Sequence, residues 1–302
     1  MKTGVIDMGT NTFHLLIADD KGNVLHKEKV AVRLGQGGIS DGTLSSEAID
    51  RALITLQDFS KKLQLHQTEK TYATATSAVR SANNQNEFIQ LVKEKTGIEI
   101  TVLDGKDEAF LIHKGVCEYI DFEDSTGLIV DIGGGSIEFI IADRKEIKWL
   151  RSYEIGGQRL IDQFHKSDPI SSEEVDTLNI FLTETLNEVY TKCQSFNASF
   201  LIGSSGSFDT FWDIFKSDQS IADEQKPKLL RKNFEKIHFD LKNKSRQQRL
   251  LIPGMIPMRV DMIVGASIVT KNIIDNCGFD LIKISPFALK EGVLAFGLPK
   301  RK

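Results

Sequence analysis

Residues 5–19 read VIDMGTNTFHLLIAD, and residues 129–143 read IVDIGGGSIEFIIAD. The two stretches align without gaps: Asp7 falls on Asp131, Gly9 on Gly133, Ile17 on Ile141, Ala18 on Ala142 and Asp19 on Asp143, and the apolar positions match in kind. Each reads as a strand closed by an aspartate, a turn rich in glycine and hydroxyl side chains, and a second strand. Repetition of one supersecondary unit sets the architecture. It predicts two similar α/β lobes, each opening with this hairpin, that face one another across a ligand-binding cleft.

Working outward, the apolar runs TYATA (71–75), SFLIG (199–203) and DLIKI (280–284) alternate with helical periodicity, the pattern of an α/β fold. Between Ser45 and Leu65, residues Ile49, Leu53, Leu56, Phe59 and Leu63 recur at helical spacing, and Glu87 to Lys95 behaves likewise, so both segments should cover a sheet. Ser171 with Glu174 forms a capping box that predicts one long helix to about Cys193, and Ser285-Pro286 is expected to open a last helix around Leu294. The expected division is lobe I at 1–124 and lobe II at 125–285, with a C-terminal helix at 286–302 packing back onto lobe I.

With 302 residues, 40% hydrophobic and 26% charged, the chain is long enough for two cores. Cys117, Cys193 and Cys277 are odd in number, far apart and without a C-x-x-C pair, which excludes a disulfide framework or structural zinc and suits reduced thiols in a cytosol. The N-terminal stretch lacks a basic region followed by a long apolar core, and no apolar run approaches the roughly 18 residues of a bilayer span, so a cytoplasmic protein without membrane contact is expected. A net charge of −4 argues against nucleic acid as partner. Any anionic ligand must then find local donors.

The turns DMGTNT and DIGGGS supply them. Successive backbone N–H groups in such turns form an anion-binding concavity, and glycine lets a phosphate approach without a Cβ in the way. Thr10, Asn11, Thr12 and Ser136 would add donors. The alternative is a turn that needs glycine only for positive φ. A third loop, GSSGS at 203–207, follows a strand and precedes the helical pattern FDTFWDIF, where backbone donors meet a helix N-terminus. Neither a Walker A loop nor a G-x-G-x-x-G fingerprint occurs.

In TYATATSAVR, Thr74, Ser77 and Arg80 could converge on an anion, or Arg80 could be a solvated surface residue. Asp107 and Glu108 stand in the first turn of a predicted helix. Either they compensate its dipole, or Glu108 is a general base, with Asp131 and Glu138 completing a carboxylate set around a divalent metal and a water. Asp7, Asp131 and Glu108 are the candidate ligands, hard oxygen donors that suit Mg²⁺ alongside phosphate. The histidines show no ligand spacing, which argues against catalytic zinc. From Lys226 to Arg249, nine Lys/Arg face only Glu235 and Asp240; this is a solvated helix face or a patch that attracts a long polyanion.

The segments DMGTNTFHLLIA, TATSAVRSA, GKDEAFLIHKGV, LIVDIGGGSIEF, IGSSGS, MRVDMIVGA and ALKEGVL, in this order, resemble the exopolyphosphatase and guanosine pentaphosphatase (Ppx/GppA) family over nearly the whole chain. The resemblance implies two actin-like (ribonuclease H-like) lobes of the acetate kinase, Hsp70 and actin superfamily. It also implies Mg²⁺-dependent hydrolysis of a terminal phosphoanhydride in the interlobe cleft. Carried over by motif, Glu108 matches the family's catalytic base, and Asp131 and Glu138 match its metal- and water-positioning acids. Asn11 and Arg80 match phosphate contacts. Gly133, Gly134, Gly135 and Ser136, with Gly203, Ser205, Gly206 and Ser207, match phosphate-binding loops. Asp107 stands where many relatives have a second Glu. The chain ends at Lys302 without the appended helical domains of longer members, so weaker hold on very long polymers is expected.

The expected activity is release of terminal orthophosphate from inorganic polyphosphate or of the 5′ γ-phosphate from guanosine pentaphosphate; both end in the same group. A superfamily kinase would need an acceptor site, and a non-catalytic nucleotide sensor would have no use for the three acids. A homodimer is compatible with the sequence, which leaves oligomeric state, preferred chain length and monovalent-ion dependence open.

Overall fold

The computed structural model describes residues 1–219 and 227–299. Strands β1 (Lys2–Met8), β2 (Thr12–Asp19) and β3 (Val24–Ala31) form an antiparallel meander. Helix α1 (Ser46–Leu65) leads to β4 (Lys70–Ala75), parallel to β1, and α2 (Ser77–Arg80) and α3 (Gln85–Thr96) lead to β5 (Ile100–Val102), parallel to β4. Helix α4 (Gly105–Cys117) then leaves a sheet ordered β3-β2-β1-β4-β5.

The second half repeats the plan. Its meander is β6 (Gly127–Ile132), β7 (Ile137–Ala142) and β8 (Ile147–Tyr153), followed by α5 (Gly157–Phe164), α6 (Ser172–Thr185) and α7 (Asn187–Ser195). Strand β9 (Phe200–Ser204) runs parallel to β6, and after α8 (Gly206–Gln219), β10 (Lys228–Leu230), α9 (Arg231–Asn243), α10 (Arg246–Leu250) and α11 (Met262–Cys277), β11 (Leu281–Ser285) runs parallel to β9. Helix α12 (Leu289–Phe296) is last. The order β8-β7-β6-β9-β11 reproduces that of the first sheet, with β10 added antiparallel at one edge. The repeat therefore extends from the hairpins to whole sheets, and the fold is the two-lobed actin-like one.

Side-chain alternation decides what each face sees. Ile6, Phe13, Leu15 and Ile17 point outward beneath α1, whose buried Ala48, Ala52, Leu56, Phe59 and Leu63 recur every three or four residues. Leu128, Val130, Phe139 and Ile141 point outward beneath the helices of the second half. The opposite faces carry Val5, Leu16, Ile129, Ile140 and Ile202 and share one core, filled by α4 and α12. These two helices are exchanged: α4 leaves the first sheet yet packs on β7 and β8, whereas α12 leaves the second and packs on β1. They cross where a side chain is impossible. A Cβ at Gly115 would lie 2.0 Å from the Ala288 carbonyl oxygen, and one at Gly292 would lie 1.8 Å from that of Leu111.

Two sequence expectations change. The Ser171–Glu174 capping box forms, but the helix bends at Leu186, where ψ of 8° separates α6 from α7. The bend keeps Val175, Leu178 and Leu182, then Val189 and Cys193, on one core. Ser285 does not open the last helix. Its Oγ accepts the Phe287 N–H in a turn, and the helix starts at Leu289, with Glu291 accepting the Ala288 N–H at 2.9 Å. Residues 300–302 of the expected terminal helix lie outside the described residues. Among the described residues no helix is long and apolar enough to cross a membrane.

Candidate active site

The strand register lines up one row of side chains on each sheet. In the first, Asp7 pairs with His14, His14 with Lys29, and Thr74 flanks Asp7. In the second, Asp131 pairs with Glu138, Glu138 with Ser152, and Ser204 flanks Asp131. Alternation places both rows on the faces that look at each other. A cavity of about 150 Å³ lies between them, walled by Asp7, Glu108, Asp131 and Glu138 and by three turns.

The turns match as the repeat implies. Gly9 N–H bonds Thr12 O at 3.1 Å, and Gly133 N–H bonds Ser136 O at 3.0 Å. The start of α5 then takes the carbonyls of the second turn: Gly156, Gly157 and Gln158 donate to Gly135, Gly133 and Gly134 at 3.0, 2.8 and 2.8 Å. Because each peptide is planar and trans, the N–H groups of Gly134, Gly135 and Ser136 point the opposite way. The glycines also permit close approach of the lobes. A Cβ at Gly134 would lie 2.3 Å from Asn11 Nδ2, and one at Gly135 would lie 2.5 Å from Ser77 Oγ. In the third turn Ser205 holds φ of 71°, a left-handed conformation costing a non-glycine residue on the order of 1 kcal/mol or more.

Helix α4 presents Glu108 from its first turn, after Asp104 caps the helix by accepting the N–H groups of Lys106 and Asp107. Arg80 Nη1 donates to Glu108 Oε2 at 2.7 Å and to Leu103 O at 3.1 Å. Burial, and then the nearby Glu138, push the Glu108 carboxyl well above the usual range, against the pull of Arg80. Burial and Asp131 push Glu138 up to about 7, although Ser136 and Ser152 hydrogen-bond its charged form. Asp7 rises to about 7, chiefly through burial, with Lys290 opposing and Asp131 adding. Asp131 is also raised by burial, against bonds from Ser205 and Ser204. Such a cluster of displaced carboxyl pKa values marks a functional site and keeps a proton acceptor near neutrality.

Cations line the same cavity as these acids. Arg259 is 9% exposed, lines the cavity, and has an Nε without a hydrogen-bond partner. It lies so close over the third turn that a Cβ at Gly206 would fall 1.7 Å from its Nη2. A buried guanidinium N–H left unpaired beside backbone donors is matched to an anion. Lys29 and Lys290 also line the cavity. Burial and neighbouring Arg259 bring Lys29 down to about 8, and burial with Lys290 and Lys29 drives His14 down to about 2, leaving its ring neutral.

Of the residues singled out in the sequence, Asp7, Asn11, Thr12, Glu108, Asp131, Gly133, Gly134, Gly135, Ser136, Glu138, Ser205 and Gly206 line this cavity. Arg80 stands behind Glu108 and holds it. Gly203 and Ser207 do not line it. Gly203 makes room for Phe208, whose ring would be 2.1 Å from a Cβ there, and Ser207 is buried in the first turn of α8. Arg259, Lys290, Lys29 and His14 escaped the sequence reading. His14 occupies the repeat position of Glu138, and Arg259 and Lys290 lie within the family-like segments MRVDMIVGA and ALKEGVL, although none was singled out.

The basic stretch needs one correction. Arg249 is not on a solvated face: it is 2% exposed, with Nη1 donating to Lys244 O at 2.6 Å and Nη2 paired with Asp168 at 3.1 Å. Lys244 pairs with Asp240 at 2.9 Å and Arg246 with Asp261 at 2.7 Å. Lys226 lies outside the described residues.

Among the described residues no three His, Cys, Asp or Glu side chains form a ready-made metal cage. Mg²⁺ commonly takes only one or two protein carboxylates and completes its shell with water and phosphate oxygens. Four carboxyl groups raised by burial, three of them also by a neighbouring carboxylate, fit that demand, because a cation would relieve them.

The Ppx/GppA phosphatase family model matches residues 16–301. The chain is 28% identical to exopolyphosphatase 2 of Mycobacterium tuberculosis, with 97% of each chain covered. It is 32% identical over 299 residues to the bifunctional 3-dehydroquinate synthase/phosphatase of Fusobacterium nucleatum, covering 93% of this chain but spanning only 44% of that protein. The crystal structure of an exopolyphosphatase from Cytophaga hutchinsonii superimposes with a TM-score of 0.94 at 41% identity, covering 98% of this chain and 97% of that one. An Aquifex aeolicus Ppx/GppA protein shares the fold, with a TM-score of 0.79 at 22% identity over 97% and 96% of the two chains. By sequence and by fold, the chain belongs to the Ppx/GppA phosphatase family.

Proposed function

We propose that this protein is an exopolyphosphatase that releases terminal orthophosphate from inorganic polyphosphate by attack of water. One observation carries the reading: a buried glutamate with a raised pKa faces the same cavity as three turns of backbone donors and an unpaired arginine N–H. Phosphoryl transfer asks an enzyme for positioning and charge neutralisation more than for covalent help. Here the N–H groups of Gly134, Gly135 and Ser136 hold the terminal phosphate, and Arg259, lying over the Gly206 turn, meets its charge. Glu108, aimed by Arg80, accepts the proton of the attacking water at Oε1 or Oε2. Its raised pKa fits a base working near neutral pH. Glu138 and Asp131 orient that water.

Asp7, Asp131 and Glu108 are the carboxylates that would share Mg²⁺ with phosphate oxygens, and the ion would supply further neutralisation of the leaving phosphate. Asp131→Asn is expected to shift the Mg²⁺ dependence of activity to higher concentration; an unchanged titration would reduce Asp131 to a turn residue. The named exopolyphosphatases of Mycobacterium tuberculosis and Cytophaga hutchinsonii support the reading. Guanosine pentaphosphate is the second candidate substrate, because it ends in the same phosphoanhydride and the family description includes GppA. The free cysteines suit a reducing compartment, and we assign the cytoplasm.

The test is orthophosphate release from polyphosphate, guanosine pentaphosphate and ATP measured side by side with Mg²⁺. Turnover of polyphosphate without an added acceptor is expected. Phosphate loss that requires an acceptor would indicate a kinase, and binding without release would indicate a sensor.

A further inference from the structure

The bend between β8 and α5 carries Glu154 across the cleft. Its Oε1 accepts Arg80 Nη2 at 2.6 Å, its Oε2 accepts the Ser77 hydroxyl, and Arg159 Nη2 approaches Oε2 at 3.5 Å. Two guanidinium groups and a hydroxyl thus converge on one carboxylate. That donor set is the one that binds phosphate through paired, charge-assisted hydrogen bonds.

Receiver and occupant are held very differently. Arg80 is fixed by Glu108 and by Leu103 O, and Arg159 by Gly135 O at 3.1 Å, Ile39 O at 3.2 Å and Ser81 Oγ at 3.2 Å. Their side chains are 19% and 21% exposed, whereas that of Glu154 is 43% exposed on an irregular segment. The donors are pre-organised by partners of their own, and the acid is the most exposed member of the group. Ser77 also lines the hydrolytic cavity and touches the Gly135 turn, so this second position is continuous with the first.

We propose that Ser77, Arg80 and Arg159 form a phosphate subsite beside the hydrolytic cavity, and that Glu154 fills it in the free protein as an internal competitor. Resting on the polyphosphatase reading, the subsite takes a phosphate of the chain beyond the one being hydrolysed. The substrate displaces Glu154 as it binds. Glu154 is therefore a specificity-determining residue: it penalises anions too short to reach the subsite less than it penalises longer ones.

The test compares wild type with Glu154→Gln, which keeps the shape and removes the charge. Calorimetric titration in EDTA with tripolyphosphate, and separately with orthophosphate, reads binding without turnover. Tripolyphosphate is expected to bind at least about fivefold tighter to the variant, with orthophosphate affinity changed less than about twofold. KM for polyphosphate should fall by a similar factor. Arg159→Gln should weaken tripolyphosphate binding and cancel the gain in the double variant. Unchanged or weaker tripolyphosphate binding by a Glu154→Gln protein with native melting temperature would overturn the proposal and leave Glu154 as an interlobe clamp. If that variant melts early, Glu154→Ala titrated at the same reduced temperature as wild type decides by the same criterion. Tighter tripolyphosphate binding in a protein that releases no orthophosphate would uphold the subsite and remove the polyphosphatase reading.

Discussion

At the scale of single residues, the site depends on acids kept from ionising easily. Glu108 reaches the cavity from a helix start and is locked by Arg80, so Glu108→Gln should keep the fold while lowering orthophosphate release at least about 100-fold, as for a removed general base. Near wild-type turnover would sink that role. Glu138 makes a stability prediction of opposite flavour. Its folded pKa of about 7 exceeds the ordinary unfolded value near 4.3, so between those limits the folded state holds more protons than the unfolded. The sign follows: this contribution is fully present below about pH 4 and is lost as pH rises through 7. In chelator-treated protein, Glu138→Gln should flatten the fall of melting temperature between pH 5 and 8 and raise it at pH 8 by roughly a few degrees, although activity is lost. Parallel melting curves for the two proteins would mean that Glu138 ionises normally. Asp7, Asp131 and Glu138 were legible in the sequence because alternation fixes their face once the hairpin is recognised. Arg259 and Lys290 were not, because they arrive from distant elements whose side-chain reach has no local pattern.

At the scale of elements, the legible features were those with local chemistry. The Ser171–Glu174 box appears where the sequence puts it, since it is made by residues three positions apart, and the apolar spacing from Ile49 to Leu63 appears as α1. The bend at Leu186 and the late start of α12 were hidden, because tertiary packing in one case and a serine turn in the other overrode the pattern. The return of the last helix to the first lobe was expected from the sequence, whereas the packing of α4 on β7 and β8 was hidden; the crossing of the two helices depends on two glycines. Gly292→Ala would set a Cβ 1.8 Å from a backbone oxygen that no rotamer change can move, so the helices must separate. A loss of about 3 kcal/mol, or roughly 5–10 °C in melting temperature, is expected. Gly265 in α11 is the control. A Cβ there meets nothing nearer than 3.9 Å, and alanine favours a helix, so Gly265→Ala should hold or raise the melting temperature. If both variants melt alike, the crossing is not the close contact described.

At the scale of the whole molecule, duplication explains why so much of the architecture was readable: fifteen aligned residues specify a hairpin in each half, and both halves build the same five-strand order around it. The two rows have since diverged, His14 and Lys29 standing where the other carries Glu138 and Ser152. The first row thus carries an acid, a neutral imidazole and a lysine where the second carries two acids and a serine. Beyond the cleft, the outer helices α9 and α10 carry the basic stretch, and here the geometry alters what should be tested. Arg249 is a buried strut, so replacing it would report on folding, and its removal should lower the melting temperature. Lys242, Lys244 and Arg246 are partly or fully exposed, and Asp240 and Asp261 already neutralise the last two, so their field on a long polyanion is modest. Exposed charges of this kind act over about a Debye length, roughly 10 Å at 0.1 M salt, and fade as salt rises. Exchanging those three together for Gln should raise KM for long polyphosphate about two- to fivefold at low ionic strength, with kcat little changed and the difference gone near 0.5 M salt, where screening is nearly complete. Guanosine pentaphosphate, a much shorter anion than long polyphosphate, should show no change in KM. Equal loss on both substrates would mean that the stretch reaches the cleft, and no loss on either would leave it a solvated face.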